Sequence, residues 1–409
     1  MMKTNIITIA AICTAMMACN SNQTDTAVTN RVELPGTVDN EAFANNVESI
    51  SVMNLQMGDD WTFMSEMNIG LSDSYIYMAD QIDLRLSCYD RKTGAKLAER
   101  TLKGNGPGET IGINSLFCVG DTCCIYDTRS VIRQYNQNCN YIGKMHEFSN
   151  LGWCYHIVRL NSGDYAFVSP RNDHYTDSAT AALILADKSF NITSEHFAVS
   201  RAHTEILGSD PCYVDDDTIR MICAYDNHIY SLCSGTEQCI ELVVPNPITP
   251  EKANELFDIG DFKVLRENFK MAREKYDGPF HSLCGSGRFL SFGYHFEKED
   301  YWAMLDKHTN KVVSIQKTNN DVETTADIVS KFFTESVVVK LDSDQIYVQC
   351  KNGTFASILE GNDNLLDARL RETQAQYRAY LERNAEYLKG LDEDERDAAN
   401  VILKIKLKD

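Results

Sequence analysis

The sequence predicts an all-β fold, a six-bladed β-propeller, on three observations. A strand–strand–turn word recurs about every 50 residues, a helical stretch breaks that rhythm once, and a strand-like segment outside the repeats stands near each end of the chain. Taken from the N-terminus, each element has its own local reason.

The chain opens MMKTNIITIAAICTAMMAC, with Lys3 as a short positive start and Asn5 to Met17 as a mostly apolar run. That run is shorter than the roughly 20 residues that span a bilayer and has the length of a secretory signal core. It ends in Met16-Met17-Ala18-Cys19 and gives way to polar residues, Asn20 to Asn30. A small residue before a cysteine at this place resembles a bacterial lipobox. The resemblance implies a signal peptide over 1–18, cleavage between Ala18 and Cys19, lipidation of Cys19, and a flexible tether over 19–46. Lipoproteins similar to this one imply outer-membrane transport when Asn20 is the second mature residue. Asp25 is the one acid between Cys19 and Arg31, so the acid-rich stretch that marks surface export is missing and the periplasmic side is favoured over the cell surface.

Val47 to Leu55 reads as a strand, and the propeller is expected over 47–409. Six copies of the repeat follow: Tyr75–Asp80 with Leu86–Asp90, Cys124–Asp127 with Ile132–Asn136, Tyr165–Val168 with Leu183–Asp187, Ile219–Ile222 with Ile229–Ser234, Phe289–Phe292 with Trp302–Asp306, and Gln345–Val348 with Phe355–Glu360. Alternating β-branched and aromatic residues mark the strands, and Asp-x-x-Thr-Gly or its equivalent marks the turn. The turns fall at 90, 136, 187, 234, 306 and 360, so four of the five spacings lie near 50. A four-stranded blade packed radially on its neighbours has this period, whereas a sandwich has turns but no such super-period.

The long spacing contains an insertion, 245–279, with helix expected near 249–276: Pro250 follows Thr249 at a helix start, and the stretch to Tyr276 is rich in Glu, Lys, Phe and Leu. A helical segment over 365–399 follows the sixth copy, with Leu366, Leu370, Tyr377, Leu381 and Leu388 on one stripe. Last comes Asn400 to Lys408, in which Val401, Leu403, Ile405 and Leu407 share one face. A ring of sheets leaves an open edge unless its ends are joined, and the two terminal strands are suited to join it.

The net charge is −20, from 39 Lys+Arg against 59 Asp+Glu. This excludes nucleic acid as a partner, because phosphate binding needs a basic surface. Twelve cysteines remain beyond the signal and lipid positions, none three apart, so no CxxC redox or zinc motif is present. Most sit in apolar strands and are expected to be buried thiols.

Lys103-Gly104-Asn105-Gly106-Pro107-Gly108-Glu109 follows the first blade. Together with the lipobox, the repeats and the Lys-rich closing strand, it resembles the TolB-like six-bladed β-propeller lipoproteins of Bacteroidota. The resemblance covers about residues 47–408 and implies the fold and the export route, with no agreed activity. Glycines at close spacing permit positive φ and close backbone approach, and no helix follows them as a dinucleotide site requires. A tight crossing between blades is the expected role.

The chain has no Gly-x-Ser-x-Gly and no HExxH, and neither a metal site nor a cofactor is expected. The richest polar and aromatic loops hold Arg171 with His174, and Tyr294 with His295. Both are expected between the second and third strands of a blade, where loops converge on one face and form a concave surface. These observations point to a lipid-anchored, non-catalytic propeller that binds a protein or glycan. The alternative is a propeller hydrolase or lactonase with a metal held in the central channel by acids from several blades.

Overall fold

The computed structural model describes residues 27–34, 38–58, 67–148, 154–170, 179–200, 212–215, 218–223, 225–257, 262–285, 287–309, 311–316, 322–342 and 345–408. Strand β1 (Ala27–Glu33), helix α1 (Asn40–Asn45) and strand β2 (Val47–Val52) come first. Blade one is β3 (Met67–Leu71), β4 (Tyr75–Asp80), β5 (Arg85–Asp90) and β6 (Lys96–Thr101). Blade two is β7 (Ile113–Val119), β8 (Thr122–Asp127), β9 (Val131–Tyr135) and β10 (Tyr141–Glu147). Blade three is β11 (Cys154–Arg159), β12 (Tyr165–Pro170), β13 (Ala179–Ala186) and β14 (Ile192–Ser200). Blade four is β15 (Cys212–Asp215), β16 (Thr218–Ile222), β17 (His228–Cys233) and β18 (Thr236–Val243), followed by helices α2 (Pro250–Phe257) and α3 (Phe262–Lys275). Blade five is β19 (Phe280–Gly285), β20 (Phe289–Phe296), β21 (Glu299–Asp306) and β22 (Lys311–Gln316). Helix α4 (Thr325–Thr334) leads to β23 (Val337–Asp342) and β24 (Gln345–Lys351). Helices α5 (Asn352–Leu359), α6 (Ala368–Arg383), α7 (Ala385–Lys389) and α8 (Glu393–Ala398) precede β25 (Asn400–Leu407).

The repeated turn has one mechanism. At the end of the third strand a carboxylate or amide oxygen accepts backbone N–H groups from the residues just ahead, which bends the chain into the fourth strand. Asp90 accepts from Thr93, Asn136 from Asn138 and Asn140, Asp187 from Ser189 and Asn191, and Asp306 from His308 and Thr309. In blade four, Ser234 and Gly235 both take positive φ, as a two-residue hairpin requires.

Each blade buries its two faces on its neighbours, so the core is a set of layers between blades. Tyr77 and Cys88 of blade one meet Leu116 and Ile125 of blade two. Phe117 and Tyr126 meet Phe167 of blade three, Val168 and Leu183 meet Met221 of blade four, and Tyr213 and Ile229 meet Phe280 and Phe292 of blade five. The largest layer joins blades five, six and one with the helices, from Trp302 and Met304 through Phe332 and Phe333 to Leu403 and Ile76. Ten of the twelve cysteines are buried and all twelve are free thiols.

Blade six closes the ring. Its order is β2-β25-β24-β23, with Val52 opposite Leu403 and Ile346 opposite Ile405. The N-terminal and C-terminal strands therefore complete the same sheet. Phe355–Glu360, expected as the last strand of the sixth copy, is instead largely helix α5, and β25 supplies the third strand of that blade. Short apolar runs do not distinguish a buried strand from a buried helix, and Phe355, Ile358 and Leu359 bury one helical face. The expected tether also carries structure: β1 pairs in parallel with β18 as a fifth strand of blade four, and α1 packs against α4. No helix among the described residues is long and apolar enough to cross a membrane.

Candidate functional site

Successive strands in a blade alternate in direction. Connections from the second to the third strand, and from one blade to the next, therefore leave the same end of the ring. At the opposite end the described strands are joined by turns of two to five residues, such as 120–121 and 91–95. The longer connections 102–112, 171–178, 201–211, 244–279, 317–336 and 352–399 leave the first end. Segment 34–46 runs from that end to the start of β2 at the opposite one, and the described start of 53–66 passes the turn 91–95.

The insertion sits at that end. Helices α2 and α3 build a small core of their own from Ala253, Leu256, Phe257 and Leu265, seated on Tyr225 from the second-to-third connection of blade four. The Tyr225 and Phe257 rings stack with centroids 5.1 Å apart. A polar latch ties the insertion to blade five. Arg273 of α3 sets Nη2 2.6 Å from Asp300 Oδ1, at the start of β21. His295 Nδ1 lies 2.9 Å from the same oxygen. Burial works to raise the Asp300 carboxyl, but the hydrogen bond from His295 and the Arg273 charge outweigh it and hold the group at about 2. The backbone N–H of Gly278 donates to the His295 carbonyl at 2.8 Å, fastening the end of the insertion to the same strand.

From the sequence, Tyr294 and His295 are expected in a loop and on a ligand face. Both lie within strand β20, and the hairpin is only Glu297 and Lys298, each with positive φ. Tyr294 is fully buried and stacks on Tyr301 and Phe280, so it belongs to the core. His295 is 5% exposed and is spent on the latch. Arg171 and His174 lie outside the described residues, as do Ala18 and Cys19. The 171–178 and 297–298 connections both join second and third strands, so they leave the same end of the ring. Asp300 closes the polar stretch that begins at Tyr294, but its pairing with Arg273 has no signal in the sequence. The two are 27 residues apart, and no local pattern links a helical arginine to a strand acid across a blade.

The glycine loop is the inter-blade crossing expected of it. The Leu102 N–H donates to the Leu84 carbonyl at 2.6 Å, and Thr110 N–H to Leu102 O. Glu109 folds back so that its carboxylate accepts the Gly106 N–H at 2.8 Å. At Gly108, φ is +73° and an added Cβ would lie 2.4 Å from Tyr141 Cβ. Below the loop, Asp127 is fully buried and accepts from the backbone of Arg129 and Val131, with Arg133 Nη1 2.8 Å from its other oxygen. These carboxylates are committed to turns and arginines, which makes them fasteners. Among the described residues no three His, Cys, Asp or Glu side chains form a group that could hold a metal ion.

A profile of the family described as 6-bladed beta-propeller, DUF5128, matches residues 20–339. No curated protein matches. Among crystal structures, a protein of Bacteroides fragilis NCTC 9343 described as exported is 16% identical, with a TM-score of 0.62 over 93% of this chain and 99% of that one. A DUF4221 family member from Bacteroides vulgatus is 8% identical, with a TM-score of 0.48 over 89% of this chain and 98% of that one. The first shares the ring fold. The six sheets, their closure by both chain ends and the span of the match place this chain in the DUF5128 family of six-bladed β-propellers.

Proposed function

We propose that the chain is an exported, lipid-anchored binding propeller of the cell envelope, which holds a protein or glycan ligand at the long-connection end of its ring. The observation that carries this reading is the asymmetry of the connections: turns of two to five residues join the strands of each blade at one end, and the long connections 102–112, 171–178, 201–211, 244–279, 317–336 and 352–399 leave the other. Connections vary at little cost to a packed scaffold, and recognition residues collect on them. The helical insertion raises one side of that end over blades four and five, and the Arg273–Asp300 pair fixes it there. The Bacteroides fragilis protein of the same fold, described as exported, supports the export route, and Cys19 supports the anchor. The periplasmic side of the outer membrane is the place this reading assigns.

The test is cross-linking in cells followed by recovery of the full chain, comparing the parent with Arg171→Ala/His174→Ala. The expected result is loss of the cross-linked partner with the unfolding temperature unchanged. Equal recovery from both would remove the long-connection end as the binding face. A stoichiometric metal in the purified protein, with a hydrolytic activity that disappears on chelation, would replace this reading with the channel metalloenzyme.

A further inference from the structure

A cleft of about 560 Å³ lies at the seam where the closing blade meets blade one. One wall is the segment from Ser51 to Leu55 with Lys404 and the start of β24, and the other is Ile76 with the turn Arg91–Gly94. That turn joins β5 to β6 and so belongs to the short-turn end of the ring. The cleft is therefore separate from the face assigned above and stands or falls independently of it.

We propose that the seam cleft binds a small anion that also carries hydroxyl groups, a sugar acid or a sugar phosphate. Its charge runs against that of the whole molecule. Arg91, Lys92 and Lys404 line it and no Asp or Glu does, in a chain of net charge −20. Lys404 lies between Ser51 and Tyr347 on the flanking strands and is half-buried. It forms no ion pair among the described residues, whereas Lys406, two residues on, is paired with Glu48 at 3.0 Å. A lysine partly stripped of water and left without a counter-charge is matched by an anion entering beside it. Arg91 is held in place by the Ser72 carbonyl at 2.5 Å. Arg383 brings a further positive charge to the rim, bonding the carbonyls of Asn54 and Thr93 at 2.9 and 2.7 Å. The nearest acid along the chain, Asp90, is occupied by the Thr93 N–H and hydroxyl at 2.7 Å each. The buried side chains of Val52, Leu55 and Ile76 supply apolar walls, and cations gathered between such walls focus the field on an anion.

The hydroxyl preference comes from the remaining lining groups. Gln345 presents its amide nitrogen, its oxygen being taken by the Tyr347 hydroxyl, and Ser51 presents a hydroxyl. Gln376 is spent on the Val52 N–H and Glu372. A free amide donor and a hydroxyl suit a hydroxyl-bearing ligand. The volume falls inside the range of roughly 300–1,000 Å³ typical of small-molecule sites. Because the walls come from the closing strand and from the first blade, an occupant would bridge the seam and stabilise the closed ring by mass action.

The full chain can be titrated with glucuronate, glucose 6-phosphate, inorganic phosphate and glucose, following the heat of binding and the unfolding temperature. Glucuronate or glucose 6-phosphate should bind and raise the unfolding temperature while glucose does not, and the stronger of the two identifies a carboxylate or a phosphate ligand. Lys404→Gln should weaken that binding by about tenfold or more, as loss of a charge-assisted bond in a half-buried site requires. Lys92→Gln lies on an exposed turn; it should weaken binding by about threefold and leave the unfolding temperature without ligand unchanged, which separates lost charge from lost fold. The proposal is overturned if glucose binds as well as the sugar anions, if both variants bind like the parent, or if neither sugar anion binds at millimolar concentration. Binding of inorganic phosphate without either sugar anion would mean an adventitious ion only, and would overturn it equally.

Discussion

The Thr373 hydroxyl on α6 donates to the carbonyl of Ile50 on β2 at 2.6 Å, and this bond is fully buried. It is one of a row. Gln376 Oε1 accepts the Val52 N–H at 2.9 Å, Asn384 bonds the Leu55 carbonyl and the Met57 N–H, and Arg369 reaches the carbonyls of Ala44 and Val47. Strand β2 is the outer edge of the closing blade. An unpaired edge is a template for association with other chains, and here one helical stripe of side chains satisfies it in place of a further strand.

Thr373→Val keeps the shape and removes the donor, leaving the Ile50 carbonyl buried without a partner. The expected cost is about 1–3 kcal/mol of unfolding free energy, read as a lower denaturant midpoint. A Thr373→Val protein as stable as the parent would mean that the helix does not satisfy this edge.

Removing 400–409 takes away the strand that lies between β2 and β24. The truncated chain should lose its cooperative thermal transition or become insoluble. An unchanged melting curve would be incompatible with closure through β25.

The Arg273–Asp300 latch has a pH signature. The folded value of Asp300, about 2, lies below the roughly 3.9 of an unfolded aspartate. Its stabilisation is therefore complete above about pH 4 and is lost as pH falls through about 2. Asp300→Asn should remove that acid-limb contribution. Amide hydrogen exchange within α3, over 262–275, should also speed up in the variant while that of blade two does not. Equal exchange in parent and variant would show that the insertion is held by apolar packing alone.

Gly108→Ala should destabilise by about 1–3 kcal/mol, since it adds a Cβ at a positive φ and in collision with Tyr141. Gly143→Ala, where an added Cβ meets nothing within 4 Å, serves as the control in the same denaturant series. Equal midpoints for the two would remove the close approach as the reason for glycine at 108.

Among the twelve described cysteines, thiol labelling of the native protein should be confined to Cys233, which is exposed, with slower reaction at Cys118. The ten buried thiols should react only on unfolding. Burial pushes groups such as Cys124 and Cys154 up to about 12, so little thiolate is present to react. Fast labelling of any of the ten would contradict the interblade packing.

Cys19→Ala tests the anchor. The variant should appear in the soluble periplasmic fraction or as uncleaved precursor, and partition into detergent equal to the parent would remove the lipobox reading.

Local chemistry determined much of this protein by itself. Alternating strands, the Asx turns at Asp90, Asn136, Asp187 and Asp306, the helix start at Pro250 and the alternating face of Val401 to Leu407 each depend on residues a few positions apart, so they can be read in order and counted into six blades. Only the tertiary structure decided which segments meet. The helix at Phe355 was read as a strand because a short buried run of apolar residues suits either, and its choice depends on Phe332 and Tyr377 packing against it. Tyr294 carried a ring and a hydroxyl suited to a ligand face, yet its stack with Phe280 and Tyr301 places it in the core. The latch partners of His295, the side-chain row along β2 and the cations of the seam cleft come from positions up to about 330 residues apart. Such pairs leave no periodic trace in one sequence, because burial and charge at a site are properties of neighbours that the chain brings together only by closing the ring.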